Sequence, residues 1–129
     1  MLPRLIALLL LAGCATASVP AESYLTTSDG VRLFLRRVGN GPQTVVYLHG
    51  GPGAQIADGG YEMDALARGR TIVMYDQRGG GRSDMPADAK LYTVARHVED
   101  VEEVRRHLGV DRVSIIGLSW GSALAALYA

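Results

Sequence analysis

Apolar and polar positions alternate near the start of the folding region and run together further along. Residues 22–27 have strand character, and Ser28-Asp29-Gly30 follows as a turn in which Asp-Gly tolerates positive φ. From Val31 to Val38 the pattern alternates, with Val31, Leu33 and Leu35 on one side and Arg32, Phe34 and Arg36 on the other. Together these segments predict an antiparallel hairpin. Gly39-Asn40-Gly41-Pro42 breaks the chain. Thr44-Val45-Val46-Tyr47-Leu48, Thr71-Ile72-Val73-Met74-Tyr75 and Val113-Ser114-Ile115-Ile116 are continuous apolar runs. Runs of this kind suit strands buried on both faces of a mainly parallel sheet. Between them, 61–67 predicts a short helix with Met63 and Leu66 as its apolar face, and 77–90 reads as a long polar loop. Thr93 is placed to cap a helix through Leu108, whose face is Val94, Val98, Val101, Val104 and Leu108. Gly109 stands where such a helix ends. The small residues after Ser119 predict a last helix. A hairpin followed by strands alternating with helices makes this an α/β chain with right-handed crossovers.

The first residues read differently. A short basic start ending at Arg4 precedes the apolar run Leu5–Ala12, too short to span a bilayer as a mature helix and suited to an export signal. Leu11-Ala12-Gly13-Cys14 resembles a bacterial lipobox, in which the cysteine becomes the lipidated first residue of the mature protein. This predicts a signal over 1–13, a tether over 14–21 and an exported lipoprotein. It would be anchored to a membrane through Cys14 and would face the periplasm or the cell exterior. Ala15 is not aspartate, so by the same resemblance an inner-membrane retention signal is missing. The alternative is ordinary secretion, with cleavage after Ala15-Thr16-Ala17. Cys14 is the sole cysteine, so no intrachain disulfide forms.

Composition narrows the class. The formal net charge is zero, which speaks against nucleic-acid partners. Charged residues make up 20% and hydrophobic ones 48%, a folding composition.

Three motifs fall at the C-terminal ends of the three apolar strands, the edge where open α/β sheets bind ligands. Gly117-Leu118-Ser119-Trp120-Gly121 is a G-x-S-x-G between a buried strand and a helix, the setting of a nucleophile elbow. It points to acyl transfer through Ser119. The negative oxygen that develops needs two preorganised N–H donors. Trp120, next to the nucleophile, supplies one. Gly51, in the loop His49-Gly50-Gly51-Pro52-Gly53, is the candidate for the other, because a glycine backbone can approach closely. His49 lies far upstream of Ser119 and is read as bracing this loop, with Gly50, and not as a general base. Asp76-Gln77-Arg78-Gly79-Gly80-Gly81-Arg82-Ser83 lacks the Lys-Ser/Thr of a P-loop, and no G-x-G-x-x-G follows a strand. Asp76 and Arg78 are expected to hold this segment against the HGGPG loop. His97 and His107 are read as surface or helix-end residues. The run Glu99, Asp100, Glu102, Glu103 is read as a solvated face, with Glu102 and Arg106 able to pair. No metal ligand set is seen.

In order and spacing, HGGPG, YDQRGGGRS and GLSWGS resemble the prolyl aminopeptidase (proline iminopeptidase) branch of the α/β-hydrolase superfamily, over about residues 22–129. The resemblance implies the N-terminal half of an α/β-hydrolase fold, a hairpin leading into a parallel sheet with flanking helices. It implies Ser119 as nucleophile and Trp120 with Gly51 as the oxyanion pair. It also implies a serine–aspartate–histidine mechanism without metal or organic cofactor, acting on small peptides, amides or esters. Leu118 stands where the aminopeptidases usually carry glycine, and Gly80 where they often carry cysteine. Haloalkane dehalogenases and epoxide hydrolases share the fold, but their elbow nucleophile is aspartate. In this fold the acid and base follow the serine, and ten residues follow Ser119 here. The 129 residues therefore read as an N-terminal piece, inactive alone because a serine without a base is a poor nucleophile. The last strand is expected to expose an edge. The competing reading is a lipid-anchored binding protein without catalysis.

Overall fold

The computed structural model describes residues 21–129. The proposed signal, Cys14 and most of the tether lie outside the described residues. Strand β1 (Ala21–Thr26) pairs antiparallel with β2 (Arg32–Gly39), closing the expected hairpin. β1 thus begins at Ala21, a residue assigned above to the tether. β3 (Gln43–Leu48), β4 (Arg70–Tyr75) and β5 (Ser114–Gly117) follow, with helix α1 (Val94–His107) before β5 and α2 (Trp120–Tyr128) after it. The sheet order is β1-β2-β4-β3-β5. β2 joins β4 antiparallel, and β3 pairs parallel with both β4 and β5. The hairpin therefore leads into a parallel sheet, as the pattern requires. Among the described residues β5 is an edge strand, with Ile116 37% exposed.

Both faces of the sheet are covered, which is why β3 and β4 read as unbroken apolar runs. On one face Leu33, Leu35, Val46, Leu48, Val73 and Tyr75 pack with Val101 and Val104 of α1 and Leu124 of α2. On the other, Phe34, Val45, Tyr47, Ile72 and Met74 pack around Ile56, with Met63 and Ala67 against them. Phe34 and Arg36, on the polar side of the hairpin alternation, are also buried. Arg36 tolerates this because its guanidinium makes a two-pronged pair with Asp64 and lies 4.7 Å over the Tyr61 ring.

Residues 60–67 form a 3-10 segment instead of an α-helix. Its inner face is Gly60, Met63 and Ala67, and Leu66, expected inside, is 40% exposed. Gly60 has no room for a side chain: a Cβ there would lie 2.9 Å from Ile56 Cγ2.

Thr93 caps α1 by accepting the Arg96 N–H, and Gly109 follows its end at φ +67°. The buried face of α1 is displaced from the apolar stripe. Val101 and Val104 are fully buried, but Val94 is 49% exposed, while His97 and Asp100 turn inward. The predicted solvated acidic face is thus confined to Glu99, because Asp100 is buried and Glu103 accepts from Ser28 N and Oγ. Glu102 does pair with Arg106 at 2.8 Å, and it also accepts from Tyr128 Oη, tying α2 to α1. No helix among the described residues is long and apolar enough to cross a membrane.

Candidate active site

Ser119 has φ 53° and ψ −117°, the one non-glycine with positive φ among the described residues. Such a backbone is costly and persists only where its surroundings over-determine it. Here they do. Leu118 N–H donates to Leu48 O at 3.0 Å, and Gly121 N–H turns back to Leu118 O at 2.8 Å. The two motif glycines are required by close approach rather than by φ. A Cβ on Gly117 would lie 2.4 Å from Gly121 O, and one on Gly121 would lie 2.1 Å from Leu48 O. The start of α2 is thereby pressed against the end of β3. Ser119 stands at the N-cap of α2 but makes no side-chain cap bond, and it is exposed. Its hydroxyl is left free of the usual capping task.

The HGGPG loop leaves the end of β3 beside it. A Cβ on Gly50 would lie 3.3 Å from Ser119 Cβ, so this glycine faces the serine. Gly51 holds φ +63°, a conformation suited to glycine, and borders Ala54. Trp120 opens α2, so its backbone N–H has no acceptor within the helix. His49 is 3% exposed. Its Nε2 accepts the Gln77 N–H at 3.0 Å and its Nδ1 lies 2.8 Å from Gly50 O. The two contacts together assign the proton to Nδ1, which donates to Gly50 O. That assignment leaves the 3.4 Å approach of Gln77 Nε2 to Nδ1 without a lone pair to accept it.

The segment after β4 divides its work. Asp76 Oδ1 accepts from Ile56 N at 2.6 Å and Oδ2 from Arg82 N at 2.8 Å, so its carboxylate links this segment to the residues just after HGGPG. Gly81 passes so close that a Cβ would meet Asp76 Oδ2 at 2.3 Å, and one on Gly80 would meet Ala54 O at 2.2 Å. A cysteine at position 80 would therefore need this backbone to move. Arg78 does not reach the HGGPG loop. It is 1% exposed and turns the other way, with Nε and Nη2 donating to Asp100 at 2.7 and 2.6 Å. Nη1 donates to Asp29 at 2.8 Å and to Leu91 O at 2.9 Å. It fastens the β4 loop to α1 and to the hairpin turn. No chain pattern announced this, since Asp29 and Asp100 are 49 and 22 residues away.

The ionic cluster sets local pKa values. Burial pushes the Asp100 carboxyl up to about 6 against the pull of Arg78, and the Arg78 hydrogen bond holds Asp29 down at about 2. Arg78 itself is disfavoured as a cation by burial, yet its bonds to Asp100 and Asp29 raise it. His97, expected at the surface, is 3% exposed and its Nδ1 has no hydrogen-bond partner. It packs edge-on between Tyr92 and Trp120, with ring centroids 5.3 and 5.8 Å away. Burial first, then the Arg78 charge, lower it to about 4. An unfolded histidine takes its proton near 6.5 and the folded one near 4, so protonation of His97 has no effect above that window and destabilises the native state progressively as pH falls through it. Relative to His97→Gln, the native sequence should lose about 3 kcal/mol between about pH 7 and pH 4, read by urea denaturation at each pH. Asp100 drives both proteins alike, so the difference isolates His97.

Gln77 was not singled out by residue type. It is fully buried and joins three segments: its N–H bonds His49 Nε2, its Nε2 donates to His49 O at 2.9 Å, and its Oε1 accepts from Trp120 Nε1 at 2.9 Å. Its position inside the YDQRGGGRS motif was the available signal. Among the described residues, no group of three His, Cys, Asp or Glu side chains could hold a metal ion.

Residues 43–129 match the model of the alpha/beta hydrolase fold. The chain belongs to this α/β-hydrolase family. A proline iminopeptidase of Heyndrickxia coagulans is 40% identical over 111 residues, covering 83% of this chain and 37% of that protein. One of Xanthomonas citri is 44% identical over 109 residues, covering 84% and 34%. The chain thus spans little more than a third of the length of these curated relatives. Among solved structures, a proline iminopeptidase-related protein from Thermus thermophilus superposes with TM-score 0.78 at 29% identity, covering 86% of this hydrolase chain and 40% of that one. An epoxide hydrolase from Vigna radiata superposes with TM-score 0.76 at 25% identity, covering 84% and 33%.

Proposed function

We propose that this α/β-hydrolase chain carries the nucleophile and oxyanion half of a serine hydrolase that cleaves a small peptide, amide or ester, in the manner of a proline iminopeptidase. One observation carries the reading: an exposed serine at φ 53°, relieved of capping, faces Gly50 of the loop at the end of the neighbouring strand. Ser119 is the nucleophile, and the N–H groups of Trp120 and Gly51 stabilise the developing oxyanion. His49, Gly50 and Asp76 support the loop. This mechanism also needs an acid and a base, and the chain spans little more than a third of the length of the relatives named above. The serine at 119 favours this chemistry over that of an epoxide hydrolase.

The test is covalent labelling of the protein translated from the complete reading frame with a fluorophosphonate. Ser119→Ala should abolish labelling and hydrolysis of L-proline p-nitroanilide. Labelling of the alanine variant at the native rate would refute the assignment.

The lipid anchor is a separate proposal resting on Leu11-Ala12-Gly13-Cys14. Cells expressing the protein in a bacterial host should incorporate radiolabelled palmitate into it. Cys14→Ser should remove the label, and incorporation unchanged by that substitution counts against an anchor at Cys14.

A further inference from the structure

The oxyanion pair of the proposed mechanism comes from two different crossings of the chain, one after β3 and one after β5. Acting together requires the two N–H groups to be held at a set separation. β3 and β5 are paired only up to Leu48 and Gly117, with Leu118 N–H bonded to Leu48 O beyond them. The Trp120 side chain and the His49 carbonyl lie past that last rung. A third crossing spans them. The Gln77 amide uses its Nε2 on His49 O at 2.9 Å and its Oε1 on Trp120 Nε1 at 2.9 Å, while its own backbone N–H holds His49 Nε2 at 3.0 Å. Gln77 is 0% exposed, so no water competes for these bonds. The Trp120 ring also meets His97 edge-on, with ring centroids 5.8 Å apart.

We propose that Gln77 is a positioning residue: its side-chain amide sets the spacing between the HGGPG loop and the elbow. Because it rests on the serine-hydrolase reading, it acts on the transition state and not on substrate uptake. Gln77 acts through His49 and Trp120 and not by contact with substrate or Ser119. Glutamine is demanded because one end must donate and the other accept, across a fixed reach. Glutamate keeps the bond from Trp120 but cannot donate to His49 O, and leucine keeps the volume but makes neither bond.

The experiment uses the protein from the complete reading frame, with p-nitrophenyl acetate and L-proline p-nitroanilide as substrates and fluorophosphonate titration to count active sites. Gln77→Leu should lower kcat per titrated site by roughly 10- to 100-fold with KM nearly unchanged, the signature of displaced catalytic groups. Gln77→Glu should fall between the two. Trp120→Phe removes the indole donor but keeps the backbone N–H. It should show the same loss in kcat, and the double variant Gln77→Leu/Trp120→Phe should be no worse than Gln77→Leu. Trp120→Phe carries the test by itself if Gln77→Leu does not fold. Native kcat per titrated site in Gln77→Leu, or in Trp120→Phe, overturns the proposal, as do losses that multiply in the double variant. A lowered urea midpoint with native kcat per site shows a purely structural role and also overturns it. Persistent activity in Ser119→Ala brings down the serine-hydrolase reading and this proposal together. An inactive Ser119→Ala with an unaltered Gln77→Leu removes only the proposal.

Discussion

Gly121→Ala is expected to disable the site and destabilise the fold, although alanine is the better helix former. Gly121 lies in the first turn of α2, and by helix propensity alone alanine would stabilise it by about 1 kcal/mol. Packing decides otherwise. The new Cβ would stand 2.1 Å from Leu48 O, 2.7 Å from Leu48 C and 2.7 Å from His49 O. All three are backbone atoms at the end of a central strand, so no flexible side chain can turn aside. Overpacking of this kind costs about 1–3 kcal/mol and sometimes more. The net expectation is a loss of about 2 kcal/mol or more in urea denaturation. The loss of function should exceed the loss of stability. Relief of the clash separates α2 from the turn at His49, and with it the elbow from the HGGPG loop. Fluorophosphonate labelling should therefore fall by roughly 100-fold in protein that is still folded, as expected for a displacement of about 1 Å. A variant with the native denaturation midpoint and the native labelling rate would show that the approach of α2 to β3 is not needed.

The second large effect is expected far from the serine. Arg78→Met keeps an unbranched side chain but removes every N–H that neutralises Asp100 and two that reach Asp29. Asp29 retains Thr27 Oγ1 and, at 3.7 Å, Arg96. Asp100, about 1% exposed, keeps no cation. Leaving a buried charge uncompensated costs about 3–5 kcal/mol. The pH dependence has a definite sign. Burial already lifts Asp100 to about 6 with Arg78 present, and without Arg78 it rises further. The folded variant then holds a proton that the unfolded chain releases near 3.8, so its stability falls as pH rises through that interval. The penalty should be clearly larger at about pH 7.5 than at about pH 5, where Asp100 is neutral and needs no partner. Asp100→Leu in the Arg78→Met background should restore most of the stability lost at the higher pH. An equal penalty at both pH values would show that Asp100 is not the source.

The same residues mark where reading the chain succeeded and where it stopped. The strand over 31–38, the unbroken runs of β3 and β4, and the Thr93 and Gly109 signals are local, and each is reproduced in the fold, although β2 is buried on both faces instead of alternating. The elbow was legible because its signal is also local, a serine between two glycines where a strand meets a helix. The role of Arg78 is not legible because its partners are distant in sequence, and an arginine beside three glycines looks the same whether it faces solvent or a buried carboxylate. A polar residue on a helix usually faces water, so the burial of His97 and Asp100 is not legible in the chain, and that of Asp100 depends on a cation delivered from another loop.

Residue order alone settled the order of the five strands and two α-helices, the place of each motif at a strand end, and the amino acid presented at position 119. Those are matters of period, capping and turn chemistry, which act over a few residues. Folding in three dimensions decided which side of α1 is buried, that Arg78 bridges Asp29 and Asp100, and that Gln77 joins His49 to Trp120. These contacts link segments separated by tens of residues, and their energies depend on burial, which no local pattern encodes.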